Sequence, residues 1–280
     1  MTEGSDVTSD EFPPPWDDDH PAFDTHVAHQ ARGYNYVLGG KDHFAADRAY
    51  VDAVADVYSG AAATVHANRA FLGRVVRFLA GEAGLSQFLD IGTGIPSAGS
   101  THEIAQEVRP DSRIVYVDND PVVLSHARAL LVGREPGSTD YLDADLRDPG
   151  RILDRAAETL DLAQPVGLLL IAVLHALSDE DDPHRIVTTL LDALPSGSYI
   201  ALTHGTLDGV GPEIGAKIVD LTRQMSQQQY AFRGHAEVAR FFGGLDLVEP
   251  GIVKPQDWRP GPGDHITENV ALWAGVARKP

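Results

Sequence analysis

The stretch Phe88-Leu89-Asp90-Ile91-Gly92-Thr93-Gly94-Ile95-Pro96-Ser97-Ala98-Gly99 constrains this chain more than any other. A short apolar run carrying one acid enters a glycine-rich turn, and an amphipathic helical pattern follows. A buried strand, a turn that admits a ligand to the backbone and a helix N-terminus make up half of a nucleotide-binding βαβ unit. The turn departs from the dinucleotide fingerprint, which wants glycine or alanine three residues after the second glycine. Ser97 stands there, and Pro96 sits inside the loop.

Downstream, strand and helix signals alternate. Strands are expected near 87–91, 113–117, 139–142, 166–173, 198–203, 245–249 and 270–277. Ser100 with Glu103 forms a capping box for the helix after the turn. Asp120-Pro121 and Asp148-Pro149 each read as an N-cap followed by proline in the first helical turn. The apolar run in 166–173 suits a parallel strand covered on both faces. Further helices are expected over 183–194, 212–228 and 235–242. This alternation predicts one α/β domain with a doubly wound sheet rather than two domains.

Upstream, 67–83 is an amphipathic helix with Phe71, Val75, Phe78 and Leu79 at helical spacing, ended by Gly84. Residues 1–30 carry Asp17-Asp18-Asp19 and Pro13-Pro14-Pro15, and no Lys or Arg precedes Arg32. Such a stretch buries too little apolar surface to offset its ordering entropy, so a disordered acidic arm is expected. Between them, Tyr34, Tyr36 and Gly39-Gly40 have two readings. They form a helix stopped by an αL glycine, or a lid whose aromatics close over a ligand. The expected organisation is an arm over 1–30 and a single domain over 31–280, with a helical cap over 31–84 and the sheet core over 85–280.

Charge narrows the partners. With 41 acidic and 22 basic side chains the formal charge is -19, which disfavours nucleic acid. The absence of cysteine excludes disulfides, thiolate metal sites and a cysteine nucleophile. The N-terminal residues lack an apolar signal region, and 166–177 is too short to span a bilayer. A cytoplasmic protein acting on a small molecule, without a membrane partner, is expected.

Three acids carry the chemistry. Asp90 lies inside the apolar strand, where a carboxylate is costly unless it meets a cation or donors. Asp118 ends the second strand, where an acid accepts from ribose hydroxyls. Asp145 follows the third strand and can accept from an adenine amino group while apolar neighbours sandwich the ring. Asp143 competes for that role. Each of Asp118 and Asp145 could instead be a turn or cap residue. Their joint placement after consecutive strands favours a ligand.

This series resembles the class I S-adenosylmethionine-dependent methyltransferases, in which an acid and GxG are followed by a ribose-binding and an adenine-reading acid. More narrowly the chain resembles a bacterial family known only as S-adenosyl methyltransferase, formerly a domain of unknown function. The likeness is carried by Leu38-Gly39-Gly40-Lys41-Asp42, Asn68-Arg69-Ala70-Phe71-Leu72, the 88–94 stretch and Tyr116-Val117-Asp118-Asn119-Asp120-Pro121. It continues in Asp143-Ala144-Asp145-Leu146-Arg147-Asp148-Pro149 and Trp258-Arg259-Pro260. The resemblance implies a Rossmann-like, seven-stranded, mostly parallel sheet with helices on both faces, an antiparallel last strand and S-adenosylmethionine as cofactor. It implies cofactor contacts from Tyr34, Gly39, Asp90, Gly92, Gly94, Asp118, Asn119, Asp143, Asp145 and Leu146, with the Tyr and Gly-Gly segment folded over the cofactor.

The acceptor side is expected near the end of the fourth strand. His175 is the candidate catalytic base there, with His204 second; either could instead satisfy a loop carbonyl. Asp179-Glu180-Asp181-Asp182 reads as a solvated loop and N-cap rather than a magnesium site, so no metal is expected. No Asn-Pro-Pro-aromatic tetrapeptide follows the fourth strand, whose place is taken by Leu174-His175-Ala176-Leu177. Methyl transfer to an oxygen or nitrogen of a small molecule is the expected activity. Its alternatives are a non-catalytic cofactor-binding protein and an NAD-dependent oxidoreductase.

Overall fold

The structure, a computed structural model, describes residues 24–121, 123, 135–226, 230–261 and 269–280. Most of the expected acidic arm, and the helix expected after Asp120-Pro121, lie outside the described residues.

The sheet comprises β1 (Gln87–Ile91), β2 (Arg113–Asp118), β3 (Ser138–Asp143), β4 (Gly167–Ile171), β5 (Tyr199–Gly205), β6 (Asp246–Leu247) and β7 (Leu272–Arg278), in the order β3-β2-β1-β4-β5-β7-β6. β1 to β5 run parallel, and β7 enters antiparallel between β5 and β6. The chain winds outward from β1 to β3 and then crosses back to β4. The order therefore reverses between β1 and β4, and the crevice above their carboxyl ends is where such sheets bind ligands.

Both faces of the sheet are covered. Leu89, Ile91, Val115, Val117, Leu168 and Leu170 point to one core, shared with α5 (Pro149–Ala156), α6 (Pro183–Asp192) and α8 (His235–Ala239). Phe88, Ile114, Tyr116 and Leu169 point to the other, shared with α3 (Ala61–Arg77) and α4 (Thr101–Val108). Burial on both faces accounts for the unbroken apolar strands. The capping box forms as expected: Glu103 Oε2 accepts from Gly99 N at 2.6 Å and Ser100 N at 3.2 Å. Asp148 caps α5 by accepting from Arg151 N at 3.1 Å. The predicted 67–83 helix is longer than its apolar period: α3 begins at Ala61, and a π turn (Phe78–Glu82) extends it to Gly84.

Residues N-terminal to α3 form the cap, with α1 (Gln30–Val37) and α2 (Ala45–Val57). α2 packs on α7 (Pro212–Met225), where Tyr50 Oη and Thr222 Oγ1 lie 3.0 Å apart. Residues 24–30, expected in the arm, are built into this cap instead. Ala28 is fully buried. Arg32, 1 % exposed, collects the Val27 carbonyl at 2.7 Å, the Asp24 carbonyl at 3.4 Å and Asp47 Oδ1 at 3.1 Å. A buried guanidinium requires acceptors, and this segment supplies it with carbonyls while Ala28 packs into the protein.

Candidate functional site

A cleft of about 740 Å³ opens at the carboxyl ends of β1, β2 and β4 and is covered by α1. β1 enters it through the glycine turn. Gly92 N donates to Val117 O at 2.8 Å, binding the turn to the end of β2. Gly92 has φ +77, and a Cβ there would overlap Val173 Cγ2, so glycine is required by conformation and by space alike.

The three acids converge on this cleft. Asp90, 5 % exposed, accepts from Thr101 Oγ1 at 2.7 Å. Burial pushes its carboxyl up to about 6, against the Thr101 hydrogen bond and the nearby Arg69 charge. Asp118 Oδ2 accepts from Gly94 N at 2.8 Å and Oδ1 from Asp120 N at 2.9 Å; burial raises its pKa despite both donors. Asp145 is held by Asn119 Nδ2 at 3.1 Å and by the Arg147 N–H at 2.8 Å. Arg147 Nε donates to Asp181 Oδ1 at 2.7 Å, so the wall beyond β3 is a chain of charge-assisted bonds. Asn119 and Leu146 also line the cleft.

Two expected contacts lie elsewhere. Gly39 closes α1 with φ +78 and its N–H on Tyr36 O, away from the cleft wall. Asp143 ends β3 in register with Asp118 but contributes nothing to the lining; the chain leaves the strand there, and Asp145 reaches the cleft instead.

α1 bridges the two halves of the crevice. His29 Nδ1 lies 2.9 Å from Asp120 Oδ2 after β2, and Gln30 Nε2 donates to Ala172 O at 2.6 Å after β4. Tyr34 donates to Val65 O at 3.2 Å and accepts from Asn68 Nδ2 at 3.1 Å. Asn68 Oδ1 accepts from Thr203 Oγ1 at 2.7 Å, which itself accepts the Ala172 N–H at 2.8 Å. Ala172 has φ +55, a left-handed conformation costing a non-glycine residue about 1–2 kcal/mol. Its N–H and C=O are both held by this network. The Tyr34 segment is a helix stopped at Gly39, and Tyr34, but not Tyr36, lines the cleft.

His175 departs from its expected role. It is 6 % exposed and absent from the cleft wall; Gln30 Nε2 lies 2.9 Å from its Nε2, and Gly205 N donates to its Nδ1 at 3.3 Å. Burial, then the neighbouring His204 and Arg233 charges, lower its pKa to about 3. The reason is local: the chain turns into a 3₁₀ segment (Leu174–Ala176) after β4, which sends the ring into the protein. So placed, the ring does not line the cleft, and Gln30 stands between the two. His204 is fully buried between Gly205 O and Arg233, a core histidine. Among the described residues, no three His, Cys, Asp or Glu side chains are grouped to hold a metal. In the 179–182 run, Asp179 meets Arg233, Asp181 meets Arg147 and Asp182 caps α6.

Sequence reading missed Gln30, His29, Thr101 and Arg69 as cleft residues. Only Arg69 carried a signal, through the Asn68-Arg69-Ala70-Phe71-Leu72 motif. The cleft is acidic, with Asp24, Asp90, Asp118, Asp120, Asp145 and Asp181 against Arg32, Arg69 and Arg147. That balance suits a cationic ligand and opposes a pyrophosphate.

Fold and site define a Rossmann-like class I methyltransferase. The family model described as S-adenosyl methyltransferase matches residues 17–280, and the chain belongs to that family, whose cofactor is S-adenosylmethionine. It is similar to a DUF574 family protein from Streptomyces avermitilis at 45 % identity and a TM-score of 0.87, covering 91 % of this chain and 99 % of that one. It is also similar to a candidate methyltransferase from Thermobifida fusca at 41 % identity and a TM-score of 0.81, covering 91 % and 96 %. No curated protein matches the chain.

Proposed function

We propose that this protein transfers the methyl group of S-adenosylmethionine to an oxygen or nitrogen of a small-molecule acceptor. The observation that carries the reading is the row of three carboxylates, Asp90, Asp118 and Asp145, brought from successive strand ends into one acidic cleft. Asp90 would face the cofactor's ammonium and Asp118 the ribose hydroxyls. Asp145, with Asn119, would face the adenine amino group, and Leu146 the ring. The Gly92 and Gly94 backbone permits close approach, and Tyr34 closes the far wall. When bound, the cofactor supplies an electrophilic methyl on a sulfonium.

The chain's own contribution is positioning and exclusion of water. α1, tied at its N-terminus to both sides of the crevice by His29 and Gln30, covers the cleft. With His175 turned inward, the reading assigns no protein base, so the acceptor presents a lone pair that is already available, as a neutral amine does. The same inward histidine supports the second reading, a cofactor-binding protein without turnover. Titration with S-adenosylhomocysteine and with NADH tests the cofactor assignment; NADH binding without S-adenosylhomocysteine binding would overturn it. A methyl-transfer screen on metabolite pools separates the two readings, since product formation eliminates the second.

A further inference from the structure

Arg69 projects from α3 into the wall of the cleft, in a chain where acids outnumber bases by 41 to 22. Every other arginine of that wall is neutralised by a carboxylate: Arg32 by Asp47, and Arg147 by Asp145 and Asp181. Among the described residues Arg69 makes no ion pair. Its Nη2 donates to Ser97 O at 3.0 Å and Ala98 O at 2.8 Å, both in the glycine-rich loop. Those two bonds orient the guanidinium, and its Nε and Nη1 make no hydrogen bond among the described residues.

Asp90 is the complementary case. It is buried, accepts one hydroxyl hydrogen bond and makes no ion pair among the described residues. Arg69 is close enough for its charge to favour the ionised forms of Asp90, Tyr34 and Tyr116. Yet the two groups do not contact each other, as structural partners would. One end of the cleft therefore holds a separated carboxylate and guanidinium, each with free valence. That arrangement complements an α-amino acid zwitterion, whose ammonium and carboxylate are separated in the opposite sense. A planar guanidinium with free N–H groups is matched to carboxylate oxygens.

We propose that Arg69 is a carboxylate-binding residue that receives the α-carboxylate of the cofactor's methionyl portion, opposite Asp90. The proposal rests on the cofactor site described above. A carboxylate on the acceptor is the other source of the same chemistry, and the ligands chosen for the test distinguish them.

The test is calorimetric binding of S-adenosylhomocysteine and of 5′-methylthioadenosine, which keeps the nucleoside and thioether but lacks ammonium and carboxylate. Arg69→Gln weakens S-adenosylhomocysteine by at least about tenfold, the scale of a lost charged hydrogen bond, and leaves 5′-methylthioadenosine within about twofold. Arg69→Lys, a point charge without the fork, falls between. Unchanged S-adenosylhomocysteine affinity in Arg69→Gln overturns the proposal and leaves an acceptor carboxylate as the remaining source. Equal weakening of both ligands overturns it too, and marks Arg69 as a support of the glycine loop. A third ligand needs no variant: decarboxylated S-adenosylhomocysteine, which keeps the ammonium, binds the wild-type protein at least about tenfold more weakly than S-adenosylhomocysteine. Equal binding of those two overturns the proposal even if Arg69→Gln fails to fold. Failure of the wild-type protein to bind any of the three refutes the cofactor site itself, a separate outcome.

Discussion

The Asp118 carboxylate accepts the Gly94 N–H at 2.8 Å, joining the acid that ends β2 to the glycine turn that follows β1. Its other oxygen takes the Asp120 N–H at 2.9 Å, so two backbone donors fix the carboxylate at the cleft wall. Asp118→Ala is expected to lose about 1.5–3 kcal/mol of S-adenosylhomocysteine affinity, the scale for charged hydrogen bonds. 5′-Methylthioadenosine should lose a similar amount, because the ribose is common to both. An unchanged dissociation constant in a folded variant would remove the ribose assignment.

Burial of the Asp90 carboxylate costs the folded state stability. Its folded pKa of about 6 lies above the ordinary 3.8, so the native state holds a proton that the unfolded chain releases between those values. The sign follows: native stability falls as pH rises from about 4 through 6 and stays reduced above. Asp90→Asn, which keeps an acceptor for Thr101, should stabilise the ligand-free protein at pH 7.5 by a few kcal/mol at most, with the gain vanishing near pH 4. Urea melts at the two pH values measure it. S-Adenosylhomocysteine affinity of the wild type should fall as pH drops below about 6, and that of Asp90→Asn should be weaker and flat over the same range.

Asp47 is fully buried and serves three donors at once. It accepts from Arg32 Nε at 3.1 Å, His29 N at 2.9 Å and Phe44 N at 2.7 Å. Removing one partner of a buried ion pair costs about 3–5 kcal/mol, because the other charge stays behind. Asp47→Ala should sit at the lower end, since Arg32 keeps the Val27 and Asp24 carbonyls. Limited proteolysis should then cut within 24–29 faster than in the wild type, where the segment is expected to resist. Equal resistance would show that another contact secures it.

Gly92→Ala combines φ strain with a clash against Val173. A left-handed alanine costs about 1–2 kcal/mol before the clash is counted. Adding Val173→Ala removes the Cγ2 overlap but leaves the residue-173 Cβ 2.6 Å from the new methyl, so the double variant should remain less stable than Val173→Ala alone by more than that amount. Chemical denaturation of the three variants checks the cycle; full recovery would mean that the turn can change its backbone conformation.

What the sequence determined was local. β1, the glycine turn, the Ser100–Glu103 box and the acids after β1, β2 and β3 are set by short-range spacing, and strand ends place their Cα atoms predictably at a crevice. The antiparallel β7 came from family resemblance, because periodicity does not encode direction. Tertiary structure decided which side chains share the cleft. Gln30 meets Ala172 across 142 residues, and Arg69 meets Ser97 across 28, contacts with no local trace. His175 shows the boundary between the two: its position at the end of β4 was legible, its direction was not. Once a strand ends, alternation no longer fixes the side chain, and the turn that follows together with its packing partners sets where the ring goes. The buried Arg32 likewise overrode a composition that argued for disorder, by holding the Asp24 and Val27 carbonyls with a guanidinium from outside the segment, which has no Lys or Arg of its own.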